Sequence, residues 1–339
     1  MGGSVSRFIR MRELTAAALI ICLLAVFFQS FLTISAMAGT ETGEFCLDCV
    51  DWSDPEGWLI KRDAIIEAQQ NGQQNGQASS STAAKTTTKA DPPEKGYAMP
   101  ELITSAASIK SDQVILDVRS GPDYISGHIP GARSLDWKDL QKDGILDPAI
   151  AKEALCRAGV NESDRLLVYG DSGEGAAFVF WALCYLGHKD VSLLDGGADA
   201  VREAGVVLTT NAPSLMPSNY TAHTVPWLLV TPDNLESLLE LSDVRVLDAR
   251  DFFEYGKSRI TNKSICLSQN KLYDNSRIKD AGTMEDLFGR RLEKSGTAIV
   301  YGTPQAYSLF YSLRLMGYNA TLLEGDWWKE TKWAVNNVK

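Results

Sequence analysis

The sequence predicts a tandem α/β protein in which two similar domains each fold around a parallel β-sheet. Three observations indicate this. Short apolar runs recur at an offset of about 130 residues, which is the mark of a duplicated unit. Each run is followed by a helix-like segment, and strands alternating with helices are typical of a parallel sheet covered on both faces. A segment with two prolines, residues 211–222, separates the copies.

The two copies match at three predicted strands. The first copy reads Val-Ile-Leu-Asp-Val-Arg at 114–119, Leu-Leu-Val-Tyr-Gly at 166–170 and Leu-Leu-Asp-Gly at 193–196. The second reads Arg-Val-Leu-Asp-Ala-Arg at 245–250, Ala-Ile-Val-Tyr-Gly at 298–302 and Leu-Leu-Glu-Gly at 322–325. Helices are expected at 149–158, 176–186 and 309–316, and another begins at Thr-Pro-Asp-Asn-Leu, 231–235. The predicted domains are therefore residues 96–210 and 222–339.

Charge and composition exclude several classes of function. The formal net charge is −10 and the sequence pI is about 4.9. Nucleic-acid binding needs stripes of Lys and Arg to meet phosphates, so this acidity argues against a nucleic-acid partner. The chain has three histidines, which makes a histidine-based metal cluster an unfavourable hypothesis. We predict no metal and no cofactor.

The N-terminal region predicts a membrane segment. Residues 15–40 contain no charged side chain, and a helix needs about 20 apolar residues to span a bilayer. Arg7, Arg10 and Arg12 precede this run, so we expect residues 1–14 to be cytoplasmic, 15–38 to be a transmembrane anchor, and the domains to lie outside the cytoplasm. The alternative is a signal peptide cleaved after the small-x-small sequence that ends at Ala38, which would give a secreted protein.

Residues 39–95 are expected to form a juxtamembrane segment followed by a stalk. Cys46 and Cys49 form a Cys-x-x-Cys motif, for which a disulfide, half of a shared metal site and an exchanging dithiol are the open interpretations. Neighbouring carboxylates raise thiol pKa values, which disfavours a reactive thiolate there. Residues 69–95 are rich in Gln, Gly, Ser and Thr, and we expect this tether to be disordered and to span about 30 Å.

Four Asn-x-Ser/Thr sequons fit an exported protein, at Asn161, Asn219, Asn262 and Asn319. Because such short motifs also arise by chance, glycosylation stays an open question at the sequence level.

A strand that ends in a short loop before a helix carries the chemistry expected of this fold. The loop points successive backbone N–H groups at one spot, which makes a cradle for an anion. A cysteine at the first loop position would have its thiolate stabilised there and would be a strong nucleophile. Both copies contain this arrangement, after Tyr169 and after Tyr301.

The motifs of the first copy resemble a rhodanese domain. They are Asp-Val-Arg at 117–119, Gly-His-Ile-Pro-Gly-Ala at 127–132, Tyr-Gly-Asp at 169–171 and Gly-His-Lys-Asp-Val-Ser-Leu-Leu-Asp-Gly-Gly at 187–197. The pair of copies resembles two-domain thiosulfate/3-mercaptopyruvate sulfurtransferases over residues 96–339. The second copy departs from the pattern at 258–263, Ser-Arg-Ile-Thr-Asn-Lys, and matches again at 324–328, Glu-Gly-Asp-Trp-Trp.

The resemblance implies an inactive first domain and a second domain whose loop opens with a persulfide-forming cysteine and is often closed by a basic residue. In this sequence the cysteine positions fall on Gly170 and Gly302, and the loop-closing position falls on Gly175. The second loop is two residues shorter, and Pro304 removes one N–H donor from it. The first loop carries two acidic residues that would repel an anionic sulfur donor.

The remaining candidate residues have structural interpretations. Asp117, Arg119 and His128, with Asp248 and Arg250, are expected to fix loops by hydrogen bonds and ion pairs, because no nucleophile is present for them to activate. We keep the first loop as a candidate binding loop, made of Gly170, Asp171, Ser172, Gly173, Glu174 and Gly175. The other cysteines, Cys22, Cys156, Cys184 and Cys266, lie in apolar stretches and are expected to behave as small hydrophobic side chains.

The sequence therefore predicts a membrane-anchored, extracytoplasmic tandem protein that has lost catalysis and acts as a binding or scaffold module for an envelope protein. The alternative is an enzyme, a divergent sulfurtransferase that relays sulfur through Cys46 and Cys49 on a mobile stalk. A third possibility is a purely structural envelope protein.

Overall fold

The computed structural model describes residues 96–171 and 174–336. The predicted cytoplasmic N-terminus, membrane segment, Cys-x-x-Cys motif and stalk all lie outside these residues. In the described part of the chain, no helix is both long enough and apolar enough to cross a bilayer.

Each copy contributes one set of strands and helices. The first contains β1 (Ile103–Thr104), β2 (Gln113–Asp117), β3 (Arg133–Ser134), β4 (Gln141–Lys142), β5 (Ile145–Leu146), β6 (Arg165–Tyr169) and β7 (Val191–Leu194), with helices α1 (Gly121–Ser126), α2 (Pro148–Arg157), α3 (Glu174–Tyr185) and α4 (Gly197–Glu203). The second contains β8 (Leu229–Val230), β9 (Val244–Asp248), β10 (Ser258–Arg259), β11 (Ile265–Cys266), β12 (Tyr273–Asp274), β13 (Arg277–Ile278), β14 (Thr297–Tyr301), β15 (Asn319–Leu323) and β16 (Val335–Asn336), with helices α5 (Pro232–Leu239), α6 (Phe252–Lys257), α7 (Ala281–Gly289) and α8 (Gln305–Leu315).

The two central sheets have the same strand order. The first sheet runs β1-β7-β6-β2-β3 and the second β8-β15-β14-β9-β11, and every pairing within them is parallel. Asp117 lies opposite Tyr169 in the first sheet, as Asp248 lies opposite Tyr301 in the second. The predicted parallel sheets are confirmed. Because the strands of each sheet share a direction, their carboxyl ends meet at one edge of that sheet. The candidate loop of each domain lies at this edge of its own sheet.

Local sequence determines where the helices begin. The Asp147 side chain accepts hydrogen bonds from the backbone N–H groups of Ala149 and Ile150, at 2.9 and 3.1 Å, and Pro148 occupies the first helical position of α2. Thr231 forms a capping box with Asn234 at the start of α5. The predicted helix at 309–316 is longer than expected, because α8 begins at residue 305.

The two copies share one hydrophobic core and belong to one compact unit. Helices α3 and α8 pack against each other through aromatic side chains. Phe178 contacts Tyr307 edge to face with a centroid distance of 5.0 Å, and Phe180 contacts Tyr311 in the same way. The outer face of each sheet has a smaller core of its own. The domain interface is therefore part of one continuous hydrophobic core.

Two antiparallel hairpins cross from one domain to the other. In the first domain β4 pairs with β5, and in the second β12 pairs with β13. The Leu146 N–H of the first hairpin donates to Oε1 of Glu324, at 2.9 Å. The Ile278 N–H of the second donates to Oδ1 of Asp195, at 3.0 Å. Each hairpin therefore reaches the strand-end edge of the opposite domain.

Candidate functional site

An aspartate, an arginine and a tyrosine form the same buried network in both domains. In the first, Arg119 donates from Nε and Nη2 to the two oxygens of Asp117, at 2.9 and 2.6 Å, and Tyr169 donates its hydroxyl to Asp117 at 2.5 Å. The hydrogen bond to Asp117 raises the pKa of Arg119. In the second, Arg250 repeats the contact with Asp248 at the same two distances.

This network holds the backbone of the strand-end loops. Nη2 of Arg119 donates to the Gly127 carbonyl at 2.8 Å, and Nη2 of Arg250 donates to the Ser258 carbonyl at 2.6 Å. Both carboxylates are fully buried, so neither is available to a substrate. The arrangement is consistent with a structural role for Asp117, Arg119, Asp248 and Arg250, and we keep that role as a proposal.

His128 is also buried, and both of its ring nitrogens contact backbone carbonyl oxygens. Its ring stacks on Tyr124 at a centroid distance of 3.8 Å, and its two nitrogens lie 2.9 and 3.3 Å from the carbonyl oxygens of Tyr124 and Asn211. In the second domain Arg259 stands at this position, with its guanidinium over the Tyr255 ring. The difference matches the departure from the sequence pattern at 258–263.

The first candidate loop begins at Gly170, which directly follows β6. A side chain is sterically possible there, because a Cβ atom would lie 3.3 Å from Cγ2 of Val118 and 3.7 Å from Cβ of Ala176, with the backbone outside the left-handed region. Ser172 and Gly173 lie outside the described residues. Partial desolvation raises the pKa values of both loop carboxyls, Asp171 and Glu174.

The far end of this loop is filled by an aromatic ring. A Cβ atom on Gly175 would lie 2.7 Å from Cδ1 and 2.9 Å from Nε1 of Trp137. The Trp137 ring in turn packs against Phe178 at a centroid distance of 5.7 Å. The position that the resemblance assigns to a loop-closing basic residue therefore has no room for a side chain.

The second candidate loop is closed at its first residue. Gly302 has φ of +89°, in the region that favours glycine, and a Cβ atom there would lie 2.5 Å from Cγ of Arg250 and 3.1 Å from Oδ1 of Asp248. The hydroxyl of Thr303 accepts a hydrogen bond from the Gly325 N–H at 3.3 Å, and α8 follows Pro304. The aliphatic part of Arg250 thus occupies the space of the expected nucleophile.

The cysteines of the described residues are poor nucleophiles or lie away from both loops. Burial raises the pKa values of Cys184 and Cys266 to about 12, so both are thiols at neutral pH. Cys156, on α2, is half-buried with its sulfur 3.9 Å from the Tyr220 carbonyl oxygen. Within residues 96–171 and 174–336, no group of three His, Cys, Asp or Glu side chains converges as metal ligands would. Cys46 and Cys49 lie outside these residues.

The family model of the rhodanese-like domain matches the chain twice, over residues 103–204 and 231–331. The chain belongs to the rhodanese-like family. The two matches contain the two candidate loops, and each begins at or next to the first strand of its sheet.

Curated relatives of this rhodanese-like chain are named for sulfur chemistry. It is 35% identical over 136 residues to the sulfur carrier protein TtuD of Thermus thermophilus, covering 37% of this chain and 48% of the relative. It is 41% identical over 116 residues to a thiosulfate sulfurtransferase of Corynebacterium glutamicum, covering 31% and 38%. The chain thus spans half or less of the length of these relatives.

A solved structure shows the same tandem fold. The 3-mercaptopyruvate sulfurtransferase SseA of Escherichia coli aligns with a TM-score of 0.60 and 20% identity, over 67% of this chain and 98% of that one. At this identity the likeness concerns the fold alone.

Sequence reasoning missed the contribution of the opposite domain to each loop edge. The residues concerned are Tyr273, Ser276 and Arg277 at the edge of the first domain, and Ile145 and Leu146 at the edge of the second. One signal was present in the sequence: Asp143-Gly144 lies between two short β-prone segments and is a hairpin signature. The other hairpin turns at Asn275-Ser276, which is a weaker signal.

Proposed function

We propose that this tandem rhodanese-like protein is non-catalytic and acts as a binding or scaffold module for another protein of the cell envelope. The observation that carries the proposal is the second loop. Gly302 lacks the thiol that a sulfurtransferase needs, and the side chain of Arg250 fills the space where a nucleophile would stand.

The first loop supports the same proposal by a different route. Gly170 has space for a side chain but lacks a nucleophile, and Gly175 lies against Trp137 instead of supplying a cation. The carboxyls of Asp171 and Glu174 oppose the approach of an anionic sulfur donor such as thiosulfate. The loop therefore has no thiol to accept sulfur, no cation to bind an anionic donor, and two carboxyls that repel such a donor. We infer that it does not transfer sulfur.

The competing function is a divergent sulfurtransferase. The names of the curated relatives favour it, and Cys46 and Cys49 are the cysteines that a relay would use. An assay of thiosulfate:cyanide and 3-mercaptopyruvate sulfur transfer separates the two. We expect the full chain to show no turnover above a thiol-blocked sample. Turnover that is lost in a Cys46→Ser, Cys49→Ser double variant would establish the relay instead.

We also propose that residues 15–38 anchor the protein in a membrane, with both domains outside the cytoplasm. The support is the uncharged run that follows three arginines. Cell fractionation is expected to find the chain in the membrane, and protease added from outside is expected to release the tandem domains by cleavage within 69–95. Full protection from external protease would show that the domains lie on the cytoplasmic side of the membrane. A mature chain that begins at Gly39 would show a cleaved signal.

A further inference from the structure

A small cleft at the start of the first loop is lined from both domains. Gly170 and Asp171 contribute from the first domain, and Tyr273, Ser276 and Ile278 contribute from the hairpin of the second. Its volume is about 30 Å³, which is space for one or two water molecules. A ligand larger than that reaches Gly170 only if the hairpin moves.

The contacts that hold this hairpin at its outer end are partly solvated. Arg277 forms ion pairs with Glu203 at 2.7 Å and with Asp195 at 3.8 Å, and its side chain is 42% exposed. The stem of Arg277 lies over Gly196, where a Cβ atom would be 3.2 Å from its Cγ. Half-exposed ion pairs contribute little to stability, so this end of the hairpin is the one that opens most easily.

The equivalent hairpin of the first domain is held differently. Its Leu146 N–H donates to Glu324, which is 4% exposed and also accepts a hydrogen bond from the Tyr307 hydroxyl at 2.6 Å. Among the described residues, no basic side chain forms an ion pair with Glu324. The side chain of Ile145 packs on Gly325, where a Cβ atom would lie 3.3 Å from its Cδ1. The two hairpins therefore differ in their polar anchors, a buried carboxyl for the first and a half-exposed ion pair at the outer end of the second. Each also has one buried residue in its second strand, Leu146 and Ile278.

We propose that the hairpin Tyr273–Ile278 is a lid that keeps the first-domain cleft closed, and that its opening admits a ligand group that is neutral or positively charged. The charge preference follows from Asp171 and Asp195, which are both lining residues of the cleft, because movement of the hairpin also takes Arg277 away from Asp195. This inference does not depend on whether the chain is catalytic. It places access to the first domain under the control of the second.

The test uses a cysteine placed in the cleft of the full-length chain. Gly170→Cys is labelled with iodoacetamide, and the rate is followed at the peptide that contains residue 170 by mass spectrometry. Arg277→Ala is then added to open the lid. Arg165→Ala is the matched control, because Arg165 is 43% exposed and also pairs with two carboxylates, those of Asp112 and Asp190, at the opposite end of β6.

We expect the folded Gly170→Cys chain to label far more slowly than the urea-unfolded chain. Arg277→Ala should speed the labelling of the folded chain about two- to fivefold, the factor that the loss of a half-exposed ion pair supports. Arg165→Ala should leave the rate unchanged. Equal rates with and without Arg277, or labelling of the folded chain as fast as the unfolded one, would overturn the lid.

Hydrogen exchange provides a second measurement that needs no cysteine. The Ile278 amide is protected by Asp195 in the closed lid, so Arg277→Ala should speed its exchange while the amides of β6 keep their rates. If exchange of Ile278 is unaffected by Arg277→Ala, the hairpin is a fixed part of the interface and the lid is refuted.

Discussion

Gly170 and Gly302 occupy equivalent positions, yet they differ in what surrounds them. A Cβ atom on Gly170 would make one tight contact, 3.3 Å from Cγ2 of Val118, whereas Gly302 has a left-handed backbone and lies against the stem of Arg250. The glycine at position 302 is therefore accompanied by a conformation of Arg250 that leaves no space for a side chain. Restoring the nucleophile there requires more than a single substitution.

Cysteine substitutions at the two glycines should differ in their effect on stability. Gly302→Cys is expected to lower the free energy of unfolding by about 2–4 kcal/mol, because it combines an unfavourable φ with a steric clash. Gly170→Cys should change it by less than about 1 kcal/mol, because only a 3.3 Å contact with Val118 needs adjustment. Urea unfolding of both variants measures the difference. Equal destabilisation would contradict the environments described for the two glycines.

At the scale of elements, the two hairpins differ at their turns. Asp143 and Gly144 have φ of 55° and 78°, and Asn275 and Ser276 have φ of 46° and 67°. Glycine and asparagine tolerate this conformation, but serine does so at a cost. The hairpin that covers the first-domain cleft is therefore the one with the more strained turn.

Exchanging the turn residues should shift stability in opposite directions. Ser276→Gly is expected to raise the free energy of unfolding by about 0.5–1 kcal/mol, and Gly144→Ser to lower it by about 1 kcal/mol. Chemical denaturation of the two single variants checks this. A Ser276→Gly chain less stable than the original would mean that the serine side chain makes a contact worth more than the strain.

Glu324, which accepts a hydrogen bond from the first hairpin, should make the stability of the chain depend on pH. Burial raises the pKa of Glu324 above its ordinary value of 4.5, against the smaller lowering effects of its hydrogen bonds with Tyr307 and Leu146. A raised folded pKa means that the contribution of this group is fully present below the unfolded pKa and is lost as pH rises through the folded value. Ionisation of Glu324 therefore costs stability at neutral pH.

Glu324→Gln should remove this dependence while its amide oxygen still accepts the two hydrogen bonds. Relative to the original chain, the variant is expected to gain stability as pH rises from about 4 to about 7. The measurement is the difference in unfolding free energy across that range. A flat difference, or a gain towards low pH, would mean that burial does not dominate at Glu324.

The sequence predicted most of the elements and little of what connects them. Apolar runs and capping residues located the strands at 114–116, 166–169 and 298–301 and the helix after Thr231, because these depend on local chemistry. The hairpins were not predicted, because their strands are only two residues long and because the residues that they contact belong to the opposite domain. The contact of Arg250 with Gly302 could not be predicted either. It depends on the conformation of one side chain, and a side-chain conformation produces no periodic pattern in the sequence.

At the scale of the whole molecule, the shared core means that the stability of each domain depends on the other. Helices α3 and α8 bury Phe178, Phe180, Tyr307 and Tyr311 against each other, and separating the domains would expose these rings. Both candidate loop edges lie beside this interface, so a partner that binds one edge meets residues of both domains. A scaffold function would thus use the pair as one surface.

Thermal unfolding of a fragment spanning residues 96–339 should show a single cooperative transition. The reason is that a core common to both domains couples their unfolding. Calorimetry is the measurement, with equality of the calorimetric and van't Hoff enthalpies as the criterion. Two separated transitions would show that the domains unfold independently despite the aromatic interface.

Sulfur loading is the most direct test of the proposal that this chain does not transfer sulfur. The full chain is incubated with thiosulfate or with 3-mercaptopyruvate, and peptide mass spectrometry then searches for an added sulfur atom on each cysteine. We predict no persulfide on any peptide from residues 96–336, because both loops lack a thiol and burial keeps Cys184 and Cys266 protonated. A persulfide formed in high yield on Cys156, Cys184 or Cys266 and transferred to cyanide would contradict this prediction. One formed on Cys46 or Cys49 and transferred to cyanide would contradict the proposed function as well, because it would establish the relay.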